Sequence, residues 1–148
     1  MAGNEVEILL IEDNPGDLEL TLHALRKNNL ANKIQVARDG EEALDFLFCR
    51  GEFKERNRNQ TPKLVLLDLK LPKVDGIEVL RQIKRDPHTK SIPVTVLTTS
   101  KEQSDLKSCY ELGVNSYIQK PVDFDKFRET VKQFSLYWLL INTPPPPR

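Results

Sequence analysis

Five side chains in this 148-residue chain sit where their types suit one kind of chemistry. Glu12 and Asp13 follow the apolar run Val6-Glu7-Ile8-Leu9-Leu10-Ile11. Asp68 closes Lys63-Leu64-Val65-Leu66-Leu67, Thr98 closes Pro93-Val94-Thr95-Val96-Leu97, and Lys120 follows Ser116-Tyr117-Ile118-Gln119 and precedes Pro121. Three carboxylates brought together repel one another unless a cation neutralises them or protons bind. A hard, oxygen-seeking divalent ion suits such a cluster, and Mg²⁺ commonly binds through one or two carboxylates plus water and phosphate oxygens. A carboxylate beside that ion and a lysine is a competent nucleophile toward a phosphoryl group. The ion and Lys120 would offset the charge on the transferred oxygens, which is most of what phosphoryl transfer asks of a protein.

That chemistry requires the five residues to converge, and the pattern of elements says how they would. Short apolar runs without polar alternation read as strands covered on both faces. Between them come helical segments. Asn14-Pro15 is a polar cap with proline in the first turn, followed by Leu18, Leu22 and Leu25, and that helix gives out at Asn28-Asn29. Asp39-Gly40 leads from a second strand, residues 33 to 37, into a helix with Ala43, Leu44, Leu47 and Phe48 on one side. Asp75-Gly76 opens a third helix with Ile77, Leu80 and Ile83 inward, and Asp86-Pro87 closes it. Ser100 and Gln103 have capping-box spacing for a fourth, with Leu106, Cys109 and Leu112, that stops at Gly113. A fifth runs from Asp123 to about Ile141, ahead of the extended tail Pro144 to Pro147. Fivefold alternation of strand and helix predicts a doubly wound five-stranded parallel sheet. With right-handed crossovers the order 2-1-3-4-5 sets strands one and three side by side at the switch point, where ligands collect.

Composition narrows the classes. Lys plus Arg and Asp plus Glu number 22 each, so no charge excess draws the chain to nucleic acid or an anionic membrane. No apolar run approaches the roughly 20 residues of a spanning helix, which makes a cytoplasmic protein with no membrane partner the expectation. Cys49 and Cys109 lack metal-site spacing and read as core thiols on apolar helix positions; His23 and His88 read as solvent-facing. Arg50 to Pro62 reads as a solvated loop with room for one helical turn. Each site residue also has a plainer reading: Asp13 or Asn14 as a helix cap, Thr98 as a helix entry, Lys120 as a surface lysine, Tyr117 as a half-buried strand aromatic.

Taken in order, Glu12-Asp13, Asp68 with Pro72 and Asp75-Gly76 behind it, Thr98, and Lys120-Pro121 resemble the receiver domain of bacterial response regulators over residues 6 to 136. The polar stretch before Pro62, the segment Val114-Asn115-Ser116-Tyr117-Ile118-Gln119-Lys120-Pro121 and the Tyr-Trp-rich last helix are also similar to the stand-alone regulators paired with cyanobacterial phytochrome kinases. The resemblance implies a flavodoxin-like (CheY-like) three-layer sandwich, a single domain over residues 1 to 141 and a Pro-rich tail over 142 to 148. It implies that Asp68 accepts phosphate from a phosphohistidine on a sensor histidine kinase, a bacterial phytochrome being one candidate. Asp13 and Asp68 would ligate Mg²⁺ directly, Glu12 through water, and the Lys70 backbone carbonyl would complete the set. Thr98 would bond a phosphoryl oxygen, Lys120 would pair with the phosphoryl group, and Tyr117 would swing inward as the switch. Glu12 departs from the aspartate common in the family, and Thr99 and Lys70 occupy positions that tune access to the acyl phosphate.

Two rivals are weaker. An aspartate-nucleophile phosphatase would want a carboxylate two residues after Asp68, where Lys70 stands. A flavodoxin-like FMN carrier would want Ser, Thr and Gly in the loop Glu12-Asp13-Asn14-Pro15-Gly16-Asp17, which is acidic and repels phosphate. In the last helix Phe124, Phe127, Val131, Phe134, Trp138 and Ile141 form one apolar seam that would pack on the sheet, while Leu136, Tyr137, Leu139 and Leu140 lie off it. A symmetric homodimer, or a docking surface for a partner, through this helix and the adjacent fourth helix and fifth strand is therefore expected.

Overall fold

A computed structural model describes residues 6–27, 33–121 and 123–146. Its strands are β1 (Ile8–Ile11), β2 (Ile34–Ala37), β3 (Leu64–Leu67), β4 (Val94–Thr98) and β5 (Ser116–Gln119). Between and after them run α1 (Pro15–Lys27), α2 (Gly40–Leu47), α3 (Gly76–Arg85), α4 (Gln103–Glu111) and α5 (Phe124–Leu136). All neighbouring strands pair in parallel, in the order β2-β1-β3-β4-β5. The expected end of the first helix at Asn28-Asn29 lies outside the described residues, as do residues 1 to 5, Val122 and the last two positions of the tail.

Alternation along each strand sorts the core into two layers, because successive side chains point to opposite faces. Leu9, Ile11, Val65, Leu67, Val94 and Val96 pack with α2, α3 and Cys109 of α4. Ile8, Leu10, Leu64, Leu66 and Leu97 pack with Leu18 and Leu25 of α1 and Phe127, Val131 and Phe134 of α5. The sheet is thus covered on both faces, and its three inner strands β1, β3 and β4 are buried along their whole length. Among the described residues no helix is long and apolar enough to cross a membrane.

Several local expectations need correction. The helix after β4 starts at Gln103 with Glu102 as its cap residue, and no capping box forms: Ser100 Oγ instead donates to Asp105 Oδ2 at 2.6 Å and accepts from Glu102 N at 3.3 Å. The helix begins two residues later than a Ser100 cap requires, which leaves the Ser100 hydroxyl free to donate to Asp105 in the first turn. Cys49 lies beyond α2 in a left-handed conformation (φ 55°), half-buried, with the Arg56 guanidinium 3.3 Å from its sulfur. Arg56 lies 3.7 Å over the Phe46 ring and also donates to the Phe46 and Gln60 carbonyls, so the polar stretch before β3 is pinned by one half-buried cation rather than freely solvated. A 3-10 turn at Gly51–Phe53 supplies its helical part. The last helix widens into a π-helical turn at Tyr137–Ile141, and both ends of the expected seam are exposed, Phe124 at 68% and Ile141 at 62%. Leu136 and Leu139, assigned off the seam, pack partly against the core.

Two glycines hold loops where a side chain would not fit. A Cβ on Gly40 would stand 1.9 Å from the Val74 carbonyl oxygen, and one on Gly76 would stand 2.5 Å from the Asp68 carbonyl oxygen. The loop after β3 is therefore clamped between α2 and the strand end that carries Asp68. At the opposite edge of the sheet, Lys84 Nζ donates to the Lys90 and Ile92 carbonyls and to Asn115 Oδ1, at 3.2, 2.9 and 2.9 Å, and ties α3 to the turns entering β4 and β5.

Burial lowers Lys84 from 10.5 to about 8. The unfolded chain then holds a proton that the folded chain releases between those values, so folding stability gains with rising pH across that window and loses the gain as pH falls through about 8. Urea denaturation of wild type and Lys84→Met from pH 7 to 10 should show this rise in the wild type alone. Thr95 Oγ1 and Ser135 Oγ are buried without a hydrogen-bond partner among the described residues. Thr95→Val should raise stability by about 1 kcal/mol, because an unsatisfied buried hydroxyl is removed at nearly constant shape; the same titration measures it.

Candidate functional site

The carboxyl ends of β1, β3, β4 and β5 bring the sequence-selected residues to one edge. Register places Ile11 opposite Leu67, so Glu12 and Asp68 leave adjacent strands side by side. Glu12 is buried and its Oε2 accepts from Asn14 N at 3.1 Å. Asn14, not Asp13, caps α1, its Oδ1 accepting from Asp17 N at 2.9 Å. Asp13 is exposed and has no protein partner among the described residues. Asp68 is buried, its backbone N donating to Ile11 O at 3.1 Å and its Oδ1 accepting from Lys70 N at 3.3 Å. Thr98 is buried at the end of β4, and its Oγ1 accepts from Ser100 N at 3.3 Å. Tyr117 is half-buried on β5 with its hydroxyl 3.4 Å from Ser100 O, to which it donates.

Lys120 joins these parts. Its backbone N donates to Thr98 O at 2.7 Å, which locks β5 to β4 beyond the sheet. Its ammonium, 4% exposed, donates to Glu12 Oε1 at 2.7 Å, Asp17 Oδ2 at 2.8 Å and Asp68 Oδ2 at 2.9 Å. A lysine has three N–H donors, and each meets a carboxylate. Lys120, expected to pair with a phosphoryl group, here also neutralises part of the acidic cluster. Asp17 was missed as a site residue. The available signal was its place in the first turn of the helix that starts directly behind Glu12-Asp13, within reach of the same edge.

The charge states follow from burial and from this ammonium. Burial pushes the Glu12 carboxyl up to about 7 against the pull of Lys120, with the Asp68 charge adding to the rise. Burial also raises Asp68, but Lys120, together with hydrogen bonds to Glu12 and Thr98, outweighs it and holds Asp68 below the ordinary carboxylate value. Lys120 moves up: burial opposes its charge, and the bonds to Asp17 and Glu12 and the charges of Glu12 and Asp68 more than offset that. The Tyr117 hydroxyl is raised by burial.

Glu12, Asp13 and Asp68 each offer a carboxylate oxygen within 4.8 Å of the others. Oxygen donors alone, with one exposed carboxylate free of protein partners, fit a hard divalent cation that keeps part of its water shell. Three carboxylates thus converge with a lysine at the switch point of a doubly wound sheet, where ligands of such folds collect.

The chain belongs to the response regulator receiver domain family, whose sequence pattern it matches over residues 8–132. It is 44% identical over 140 residues to the probable methanogenesis regulatory protein FilR2 of Methanothrix harundinacea (strain 6Ac), covering 95% of this chain and 88% of that one. It is 41% identical over 138 residues to response regulator Rcp1 of Synechocystis sp. (strain ATCC 27184 / PCC 6803 / Kazusa), covering 93% and 92%. The Mn²⁺-bound crystal structure of Rcp1 superposes with a TM-score of 0.87 at 40% identity, covering 96% of this chain and 99% of that one. The phosphorylated cyanobacterial phytochrome response regulator RcpA superposes at 0.88 with 41% identity and the same coverage.

Lys120→Met leaves Glu12 and Asp68 buried without their counter-charge. It should cost about 3–5 kcal/mol of folding stability in chelator, the range for breaking a buried pair, and added Mg²⁺ should recover part of the loss. Urea unfolding in EDTA and in Mg²⁺ checks both.

Proposed function

We propose that Asp68 accepts a phosphoryl group from a phosphohistidine on a sensor histidine kinase, a phytochrome being the candidate that its likeness to RcpA and Rcp1 favours. The observation that carries this reading is the Asp68 carboxylate: buried at the end of β3, ionised through Lys120 at 2.9 Å, and within 4.8 Å of the Glu12 and Asp13 carboxylates. An Asp68 oxygen attacks phosphorus as the phosphorus–nitrogen bond of the donor breaks, and the nitrogen keeps the electron pair. Lys120, already directed at Asp68, pairs with the transferred oxygens. Mg²⁺ held by Glu12, Asp13, Asp68 and the Lys70 carbonyl supplies further positive charge to those oxygens when bound. Thr98 donates to a phosphoryl oxygen, and Tyr117 exchanges its bond to Ser100 O for an inward position. That movement changes the surface of α4 and β5, a local charge event read through a two-state surface. The phosphatase and FMN-carrier readings gain nothing: Lys70 stands where a second acid would be needed, and the loop after β1 is acidic.

A second part of the proposal is a homodimer through α5 and its terminal turn, with α4 and β5 beside it. Tyr137, Leu140 and Ile141 share one face of the last turns and stand exposed, and Tyr110 of α4 is exposed as well.

Incubation with acetyl phosphate and Mg²⁺ should add one phosphoryl mass to the wild type and none to Asp68→Asn. Retained modification in the variant overturns the assignment. Sedimentation should give a dimer for the wild type and a monomer for the double variant Leu140→Asp, Ile141→Asp. A monomeric wild type removes the dimer, and a variant that stays dimeric removes this interface.

A further inference from the structure

The ammonium of Lys120 can direct only three hydrogens, and the structure shows where all three go: Glu12 Oε1, Asp17 Oδ2 and Asp68 Oδ2, at 2.7, 2.8 and 2.9 Å. Two of these partners already have roles. Asp17 is not among the three carboxylates that gather within 4.8 Å of one another. Its backbone is held from both sides. Asp17 N donates to Asn14 Oδ1 at 2.9 Å, and its carbonyl accepts from the hydroxyl of buried Thr21 at 2.8 Å. The positive end of α1 further favours a carboxylate in this first turn.

We propose that Asp17 is a positioning residue for phosphoryl transfer to Asp68. With Glu12 it occupies two of the Lys120 hydrogens, so the third stays directed at the acceptor. As the new oxygen–phosphorus bond forms and the donor bond breaks, that third hydrogen passes from Asp68 Oδ2 to a phosphoryl oxygen. The other two bonds need not change, and the reorganisation of the lysine is confined to a single exchange. Without Asp17 one hydrogen is left to water. The ammonium then gains orientations in which it serves neither the attacking oxygen nor the developing charge, which is a loss of preorganisation rather than of binding.

The inference rests on Asp68 being the acceptor, and the experiment separates the two. Phosphorylation rates of the full chain are measured by intact mass at saturating acetyl phosphate and Mg²⁺, with Mg²⁺ affinity measured in parallel. Asp17→Ala should be slower by about tenfold, equivalent to roughly 1.4 kcal/mol of barrier, with Mg²⁺ affinity unchanged. Asp17→Asn, whose amide oxygen keeps an acceptor of the same reach, should fall between the two. A rate for Asp17→Ala equal to wild type overturns the proposal. So does a deficit that further Mg²⁺ abolishes, since Asp17 would then act through the metal, or an Asp17→Asn rate as low as that of Asp17→Ala, since charge alone would then be at work. A wild type that takes no phosphoryl group, or an Asp68→Asn variant that does, defeats the acceptor assignment instead.

Discussion

A lysine ammonium removed from water is tolerated only where its charge and its hydrogens are all answered, and Lys120 meets that condition with three carboxylates on three different elements. Glu12 follows β1, Asp17 lies in α1, and Asp68 follows β3. The arrangement therefore requires β1 and β3 to be neighbours and α1 to start directly over them. Each partner is costly alone: Glu12 and Asp68 are buried acids, and burial lifts the Glu12 carboxyl to about 7, whereas at Asp68 the Lys120 charge outweighs burial and holds the group down. Together they are stable enough to persist and still short of electrical balance, and that remaining negative charge suits the edge to a divalent cation.

The rest of the fold makes this edge rigid. Strands buried on both faces cannot slide without exposing an apolar layer, so Glu12, Asp68, Thr98 and Lys120 are held at the ends of elements with little freedom. Gly76 lets α3 begin against the Asp68 carbonyl, and Gly40 lets α2 press on the loop that follows. Covalent change at Asp68 is then felt by side chains rather than by the sheet. Thr98 and Tyr117 lie on the β4 and β5 side, where Ser100 O holds the tyrosine by a single long bond of 3.4 Å. A contact that weak is easily exchanged, which suits the movement proposed for Tyr117.

What the sequence made legible was whatever depends on period and order. Alternation of apolar runs with helical spacing gave the sheet order, and strand ends gave Glu12, Asp13, Asp68, Thr98 and Lys120. Features that depend on competition between partners were not legible. Ser100 had both Gln103 and Asp105 within reach, and only geometry decides for Asp105. Asp17 looked like one more acid in an acidic loop, because nothing in a linear reading says that the first turn of α1 faces a lysine more than a hundred positions later. Arg56 looked like loop charge, although the Phe46 ring beneath it turns it into the anchor of that segment. At the end of α5 a regular seam was expected, but the widened π turn rotates Ile141 away from the core while Leu139 remains packed.

The central claim is that a single buried ammonium is shared among Glu12, Asp17 and Asp68. Nitrogen-detected NMR of the lysine side chains against pH tests it most directly. The account predicts one ammonium signal, assigned by its loss in Lys120→Met, that exchanges slowly with water and stays protonated above 10.5, the ordinary lysine value. An ammonium at Lys120 that exchanges freely, or that loses its proton at or below that value, would contradict it.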